Sequence, residues 1–332
     1  MAILGSDPAA VEQAALCLAA GELVAFPTET VYGLGARADD DSAVAKIYAA
    51  KGRPADHPLI VHVHDTTQAR VFAAELPKVA VRLMAAQWPG PLTLIVERAP
   101  RIAVAAAGGH DTIGLRCPSH PMARALLAHA LSLGVPGVAA PSANRFGRIS
   151  PTRAAHVIDE FGNAMPVLDG GDCEIGIESS IVDCSQGDPV LLRPGMLTRA
   201  QIEAAAGMRL REPLSDAPRA PGTLEAHYAP RAKLRVMSAP MLRSALEVLG
   251  DTPLPSRKAR TLRLAVYSRT VLPKPHVRHR AMPEDAASAA HELFAALREL
   301  DGTGVDLIWV EAPPEGPEWE AVRDRLQRAA AV

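Results

Sequence analysis

This sequence has few aromatic residues, only four cysteines and a small net charge. Aromatic side chains occupy 4% of the 332 positions, whereas hydrophobic residues as a whole occupy 48%. Alanine, valine and leucine must therefore supply most of any core. The formal net charge of −2 gives no bulk attraction to nucleic acid or to a membrane surface. The length exceeds one typical domain and fits two.

The cysteines indicate reduced thiols rather than disulfides or a zinc site. Cys17, Cys117, Cys173 and Cys184 form no C-x-x-C pair, and no Cys/His cluster has zinc-site spacing. No apolar run approaches the roughly 20 residues that span a bilayer, and the first ten residues do not resemble a signal peptide. We therefore predict a cytoplasmic protein without membrane contact.

The first two hundred residues alternate short apolar runs with helical patterns. Many glycines and prolines separate the runs, so they differ from repeated βαβ units and predict an α/β fold with a twisted, mixed sheet. The predicted strands are 23–26, 59–63, 92–97, 112–116, 137–140, 181–183 and 190–192. The predicted helices are 8–20, 41–50, 77–87, 121–131 and one from 151 that is capped by Ser150.

A proline-rich polar stretch divides the chain. Residues 208–232 read as a linker, which leaves one domain over 1–207 and another over 233–332. In the second domain, strand patterns at 234–237, 262–267 and 305–310 alternate with helical patterns at 240–249, 284–300 and 318–331. This alternation predicts a small open α/β domain.

Two polar segments are candidates for phosphate binding. Lys51-Gly52-Arg53-Pro54 follows a helix, and its two cations suit a polyphosphate. Taken alone, this pattern is more often a solvated helix end. Ser142 and Asn144 emerge from the end of a small-residue strand, where ligands of α/β sheets bind, although a capped turn explains them equally well.

Several familiar motifs are absent. The segment Phe26–Gly35 contains G-x-G but no third glycine, so it is not a dinucleotide fingerprint, and the chain has no G-x-x-x-x-G-K-[ST] phosphate loop. No Ser-His-Asp or Cys-His order indicates a covalent nucleophile. His62, alone within a strand pattern, is by itself more typical of a structural histidine.

Together, the motifs resemble the YrdC-like family of L-threonylcarbamoyladenylate synthases. They appear in the order F-P-T-E-T-V-Y-G-L-G, K-G-R-P, P-L-I-V-H-V, P-S-A-N, E-S-S-I-V-D and L-L-R-P-G, and cover roughly residues 10 to 200. The later His227-Tyr228-Ala229-Pro230 is similar to the linker of the family's long, two-domain form. The resemblance implies a twisted sheet around a large basic cavity, followed by a Rossmann-like C-terminal domain.

The resemblance also implies a reaction and a set of site residues. L-threonine, bicarbonate or CO2, and ATP with Mg2+ would give threonylcarbamoyl-AMP and pyrophosphate. The product would pass to the machinery that makes N6-threonylcarbamoyladenosine in tRNA. The implied ATP-binding residues are Lys51 and Arg53, which are also the implied catalytic pair, with His57, Thr112, Ser142, Asn144, Ser150, Arg193, His227 and Tyr228. The implied L-threonine-binding residues are Thr30, His62, Arg116, Ala140 and Ser180. No metal is expected to be held by the protein itself.

Two positions depart from the family pattern. His57 stands where asparagine is usual, and we expect it still to donate to a phosphate or base. Glu225 stands where the linker usually has a tyrosine, which affects the first half of a candidate lid over residues 222–230.

Two other functions compete with the synthase. Residues 252–283 contain no acidic residue, so they form either a solvated basic loop or an RNA contact; the latter would favour an RNA-binding or regulatory module. Its cations are Arg257, Lys258, Arg260, Arg263, Arg269, Lys274, Arg278 and Arg280. A carbamoyltransferase-type maturation enzyme is disfavoured, because no zinc spacing exists.

Overall fold

The chain forms two compact units. The computed structural model describes residues 3–212, 221–222, 226–249, 263–273, 275 and 277–331. Unit 1 comprises Met1–Phe146 and Ser150–Thr223, and unit 2 comprises Gly147–Ile149 and Leu224–Val332. Within the described ranges, no helix combines the length and apolar character needed to cross a membrane.

Unit 1 contains ten strands and seven helices among its described residues. The strands are β1 (Ile3–Gly5), β2 (Val24–Phe26), β3 (Gly33–Arg37), β4 (Ile60–His62), β5 (Leu92–Glu97), β6 (Thr112–Arg116), β7 (Val138–Ala139), β8 (Val167–Leu168), β9 (Ser180–Asp183) and β10 (Val190–Arg193). The helices are α1 (Pro8–Ala19), α2 (Asp41–Lys51), α3 (Thr66–Phe72), α4 (Lys78–Gln87), α5 (Pro121–Ser132), α6 (Ala154–Phe161) and α7 (Arg199–Ala206).

These strands form one mixed sheet, as predicted. The strand order is β1-β8-β2-β3-β7-β4-β6-β5-β9-β10. In its centre, β4 runs parallel to β6 and antiparallel to β7, while β5 runs antiparallel to β6 and parallel to β9. The short, irregular strands explain why the sequence does not show simple βαβ repeats.

The central strands separate an apolar face from a polar one, because successive side chains of a strand point to opposite faces. Alternate residues join the main core, in which they pack with α2, α3 and α4; they include Leu34, Ala36, Val61, Leu92, Leu94, Ile113 and Leu115. The intervening residues of the same strands are mostly small or polar: Gly33, Gly35, His62, Thr93, Thr112, Gly114 and Arg116. Ile60 and Ile95 also lie on this face, where they pack with Ile181 in a small apolar cluster.

Helices α1 and α5 cover only one end of this polar face. Their apolar residues pack against Phe26, Val138, Ala140 and Leu168 in a second cluster. Gly35 allows this packing, because a Cβ there would lie 2.8 Å from the Phe26 ring and 2.9 Å from Val138. The polar face of β4, β6 and β5 lies beyond that cluster, where the candidate site is found.

Unit 2 is the small open α/β domain that the sequence predicts. Its strands are β11 (Lys233–Met237), β12 (Leu264–Ser268), β13 (Arg278–Ala281) and β14 (Leu307–Glu311), and its helices are α8 (Ala239–Leu249), α9 (Ala286–Gly302) and α10 (Glu320–Ala330). The strands are all parallel, in the order β11-β14-β12-β13. A short 3-10 helix, Pro317–Trp319, precedes α10.

Candidate active site

His62 and Arg116 lie side by side on the polar face. They end β4 and β6 and are partners in the register of these parallel strands. His62 is 3% exposed and Arg116 is 4% exposed. Burial, and secondarily the charge of Arg116, lower the pKa of His62 to about 3, so its imidazole is neutral at physiological pH. Among the described residues, the Nδ1 atom of His62 has no hydrogen-bond partner.

Arg116 forms a buried ion pair with Glu29. Arg116 Nη2 lies 2.6 Å from Glu29 Oε1, and both side chains are 4% exposed. The second carboxylate oxygen, Oε2, accepts a hydrogen bond of 3.1 Å from the backbone N–H of Ser119. Burial by itself would raise the pKa of Glu29, but Arg116 and the Ser119 N–H hold the pKa below its ordinary value.

Thr30 is positioned by a turn that its neighbour Thr28 organises. The hydroxyl oxygens of Thr28 and Thr30 lie 2.8 Å apart. Thr28 Oγ1 also donates to the Val31 carbonyl at 2.7 Å and accepts from the backbone N–H groups of Thr30 and Val31. This turn lies between β2 and β3, and Thr30 is fully buried within it.

Lys51 joins the two predicted phosphate segments to each other. Its Nζ donates 2.6 Å to the carbonyl of Ser142 and also donates to the carbonyl of Asn144. The backbone N–H of Phe146 returns a bond of 2.9 Å to the Lys51 carbonyl. Complete burial, and then the nearby charge of Arg53, lower the pKa of Lys51 well below its usual value.

Arg53 lies in the loop that follows α2, against an aromatic ring. Its Nη2 donates to the Pro58 carbonyl at 2.9 Å, and its guanidinium carbon lies 5.5 Å from the centre of the Phe146 ring. The His57 ring meets the same Phe146 ring edge-on at 5.4 Å. Gly52 allows the loop to leave the helix, because it adopts φ of +63°.

Ser180 begins β9, and the backbone of Gly195 lies close against it. A Cβ at position 195 would lie 2.4 Å from the Ser180 nitrogen and 2.7 Å from its Oγ, so only glycine fits there. Arg193 binds the adjacent Ser179 carbonyl through Nε at 3.0 Å and Nη2 at 2.9 Å. It also donates to the carbonyl of Pro221, a residue of the predicted linker, at 2.7 Å.

Three further predicted residues of unit 1, Ser150, Ala140 and Thr112, each contact a different part of the unit. Ser150 is fully buried, and its hydroxyl donates to Glu178 Oε1 at 2.5 Å. Ala140 follows β7, and its N–H donates to the Ile60 carbonyl at 2.9 Å. Thr112 begins β6, opposite Glu97.

His227 and Tyr228 belong to unit 2. The backbone N–H of His227 donates to the Arg328 carbonyl at 3.2 Å. The Tyr228 ring lies 5.3 Å from that of Phe294 and 5.6 Å from the guanidinium carbon of the buried Arg325. Tyr228 also adopts φ of +62°, which is unusual for a residue other than glycine.

The structure thus brings some predicted residues into direct contact and gives others different partners. Lys51 meets Ser142 and Asn144 through their carbonyls, and His62 is paired in register with Arg116. The predicted site residues do not include Glu29, Thr28, Ser179, Glu178 or Phe146, each of which contacts one of them. The burial of Glu29 follows from its contacts with Arg116 and Ser119, which are 87 and 90 positions away and which no local pattern reveals.

The basic stretch of unit 2 is only partly described, since Arg257, Lys258, Arg260 and Lys274 lie outside the described residues. Of the others, Arg263 pairs with Asp306 at 3.7 Å, and Arg280 pairs with Glu292 at 2.7 Å and with Glu299 at 3.9 Å. Two of the cations that the RNA-binding alternative would use, Arg263 and Arg280, are thus paired with carboxylates of unit 2.

Metal-binding side chains are not clustered in the part of the chain that the structure describes. No group of three or more His, Cys, Asp or Glu residues there is placed to hold a metal ion. The four cysteines are unpaired thiols, three of them buried.

Comparison with family models matches both units. A Sua5/YciO/YrdC model described as "Telomere recombination" matches residues 17–195. A second model, described as "Threonylcarbamoyl-AMP synthase, C-terminal domain", matches residues 197–331.

Individual relatives are similar along nearly the whole chain. The threonylcarbamoyl-AMP synthase of Bacillus subtilis is 40% identical over 337 residues, covering 98% of this chain and 94% of its own. That of Pyrococcus abyssi is 39% identical over 319 residues, covering 93% and 91%. The crystal structure of P. abyssi Sua5 complexed with L-threonine superimposes with a TM-score of 0.88 at 36% identity, covering 99% of this chain and 98% of that one.

Proposed function

The chain belongs to the Sua5/YciO/YrdC family in the long form that carries the threonylcarbamoyl-AMP synthase C-terminal domain, and from this premise we propose how it works. It adenylylates N-carboxythreonine: L-threonine, bicarbonate or CO2, and ATP give threonylcarbamoyl-AMP and pyrophosphate. The relatives that carry this activity in their names match more than nine tenths of the chain.

The observation that carries the proposal is the pairing in register of the buried His62 and Arg116, which place a neutral imidazole beside a guanidinium. A carboxylate fits a guanidinium edge, so Arg116 would bind the carboxylate of threonine. The neutral His62, with an unpartnered Nδ1 among the described residues, would hydrogen-bond the polar groups of the same substrate. Thr30, Ala140 and Ser180 complete the proposed threonine site.

The nucleotide side is proposed to form around Lys51 and Arg53. A protonated lysine has three N–H donors, and two of them serve the carbonyls of Ser142 and Asn144. The third would be left for a phosphate oxygen, whose negative charge would also favour the protonated amine. Arg53, His57, Thr112, Ser142, Asn144, Ser150 and Arg193 complete the part of the proposed ATP site that unit 1 supplies.

The chemistry needs no protein nucleophile. The threonine amine adds to CO2, forming an N–C bond and losing one proton, to give a carbamate. A carbamate oxygen then attacks the α-phosphorus of ATP, and the bond between that phosphorus and the bridging oxygen breaks to release pyrophosphate. Residues of the site contribute by holding the reactants together and by neutralising charge on the leaving group. Mg2+ is proposed to arrive on the ATP phosphates, where it adds to this neutralisation.

The proposed product is an activated acyl donor for tRNA modification in the cytoplasm. A mixed anhydride of a carbamate and AMP is labile in water, so a site that excludes solvent would protect it. The linker over residues 222–230 is the proposed lid.

Pyrophosphate release tests the proposal. It should require L-threonine, bicarbonate and ATP together, and mass spectrometry should detect threonylcarbamoyl-AMP. Chelation by EDTA should stop the reaction, and added Mg2+ should restore it. An equal rate of pyrophosphate release with and without L-threonine would contradict the synthase assignment.

A further inference from the structure

Glu29 and Arg116 are far apart in sequence but form one of the most enclosed ion pairs of unit 1. They are 87 positions apart, and each side chain is 4% exposed. Charges are rarely buried to this extent unless they are paired. A buried pair also contributes little net stability, because desolvation offsets its attraction. Stability alone therefore gives a weak reason for placing this pair in the site.

The pair leaves one edge of the guanidinium available. Arg116 Nη2 donates to Glu29 at 2.6 Å, and Nε makes a longer contact of 3.4 Å with the Gly90 carbonyl. Nη1 has no partner among the residues that the structure describes. Since a guanidinium is planar and its donors form a rigid fork, fixing Nη2 and Nε also fixes the direction of Nη1.

Glu29 is itself held in place by the backbone. Its Oε2 accepts from the Ser119 N–H at 3.1 Å, and its own carbonyl accepts from the Ile175 N–H at 2.7 Å. The carboxylate therefore cannot swing away from Arg116 without breaking a bond to another segment. It acts as a fixed anchor for a long, otherwise mobile side chain.

The pair also sets the local charge. Glu29 stays ionised because Arg116 and the Ser119 N–H lower its pKa, despite its burial. The adjacent His62 is neutral, so the charges of these three residues sum to zero. An unpaired Arg116 would instead attract any small anion, including a phosphate of ATP.

We propose that Glu29 is a positioning residue for L-threonine: its carboxylate holds Arg116 by Nη2 so that the Nη1 edge receives the amino-acid carboxylate. This inference rests on the proposed function. Glu29 does not touch the reacting atoms and acts only through Arg116.

Steady-state kinetics of Glu29→Gln in the full-length chain test this role. Glutamine has nearly the same shape, but it loses the charge and turns one of the two acceptor oxygens into a donor. The KM for L-threonine should rise about tenfold or more, as expected for a misplaced charge-assisted contact. The KM for ATP should stay within about twofold, because the proposed nucleotide residues keep their contacts.

Glu311→Gln is the matched control. Glu311 is also a buried carboxylate, 2% exposed, whose pKa is lowered by bonds to Thr270, Val271 and Arg269 despite its burial. Its loss should lower thermal stability without raising the KM for threonine. A purely structural effect would lower the active fraction, and thus the apparent kcat, while leaving both KM values unchanged.

Glu29→Asp serves as the second variant and covers the case in which Glu29→Gln does not fold. It keeps the charge but is one methylene too short to reach both Arg116 and Ser119, so its KM for threonine should lie between those of the wild type and Glu29→Gln. An unchanged KM for threonine in the variants that fold would overturn the inference. A lowered KM would also overturn it, because Glu29 would then be competing with substrate for Arg116.

The wild type separates this inference from the proposed function. Calorimetric binding of L-threonine, and pyrophosphate release that depends on it, must be present in the wild-type protein. If both are absent, the proposed function fails. If both are present and the Glu29 variants have the wild-type KM for threonine, only the positioning role fails.

Discussion

At the scale of single residues, Lys51 connects the two segments that were predicted to bind phosphate. Its ammonium bridges the carbonyls of Ser142 and Asn144, so Lys51→Ala would remove a charge and also release the loop after β7. Arg53→Ala would remove the second cation. We expect each variant to lower ATP-dependent turnover about 10²-fold or more, as loss of a preorganised transition-state contact does.

Lys46→Ala is the control for Lys51. Lys46 lies on the same helix, α2, but its side chain is 43% exposed and pairs with Glu22. Pyrophosphate release by this variant should match the wild type. Wild-type turnover in Lys51→Ala and Arg53→Ala would instead refute the phosphate role of both cations.

A second residue-scale prediction concerns acid stability and His62. Its pKa is about 3 in the folded protein, against an ordinary value of 6.5. Only the unfolded chain gains this proton as the pH falls from 6.5 towards 3, so the stability contribution is complete above pH 6.5 and is lost below it. Between pH 8 and pH 5, the wild type should lose about 2 kcal/mol more unfolding free energy than His62→Gln.

Urea titrations at several pH values measure this difference, and comparing the two proteins cancels the other titrating groups. Parallel pH dependences for wild type and variant would mean that His62 takes up its proton in the folded state. In that case, the neutral imidazole proposed for the threonine site would be wrong.

At the scale of elements, the start of β9 depends on Gly195. A Cβ at this position would lie 2.4 Å from the Ser180 nitrogen, which is too close to accommodate without moving the backbone. Gly195→Ala should therefore displace Ser180, lower the melting temperature and raise the KM for threonine severalfold. Gly302→Ala is the control, because Gly302 ends α9 with nothing within 4 Å of its Cβ position. It should leave the KM for threonine unchanged and should not lower the melting temperature, because alanine favours a helix over glycine.

Elements with a strong periodic pattern were predictable from the sequence. The strands β5 and β6 match their predicted bounds, and α2 begins and ends where Asp40 and Gly52 cap it. The elements β1, β3, β8, β13, α3 and α7 were not predicted. β3 reads Gly-Leu-Gly-Ala-Arg, and its glycines disfavour a strand until tertiary packing requires their small size.

The predicted start of α6 was wrong by three residues. Ser150 was expected to cap a helix from Pro151, but α6 begins at Ala154 and has no side-chain cap. The Ser150 hydroxyl donates to Glu178 instead, a partner 28 positions away that no local pattern reveals. Glu29 and Arg116 illustrate the same limit for the site, since sequence identifies each residue but not their contact. The large basic cavity stays a prediction.

At the scale of the whole molecule, the division into units does not follow the chain strictly. The segment Gly147–Ile149 groups with unit 2, where the Ala229 N–H donates to the Gly147 carbonyl at 2.8 Å and Arg148 pairs with Asp301 at 3.3 Å. Unit 1 in turn extends beyond α7, because Leu210 packs in its main core. A truncation that isolates unit 1 must therefore keep Leu210.

A chain that ends at Glu212 meets this condition. It retains Leu210, which is 7% exposed, and the 2.8 Å bond from the Arg211 N–H to the Pro189 carbonyl. It loses Pro221, a partner of Arg193, together with His227 and Tyr228. We expect cooperative thermal unfolding but at least about tenfold lower turnover, because loss of the proposed lid would expose the carbamate to water. Full activity would show that the linker has no part in the mechanism. Loss of cooperative unfolding would show that residues 1–212 do not fold without the rest of the chain.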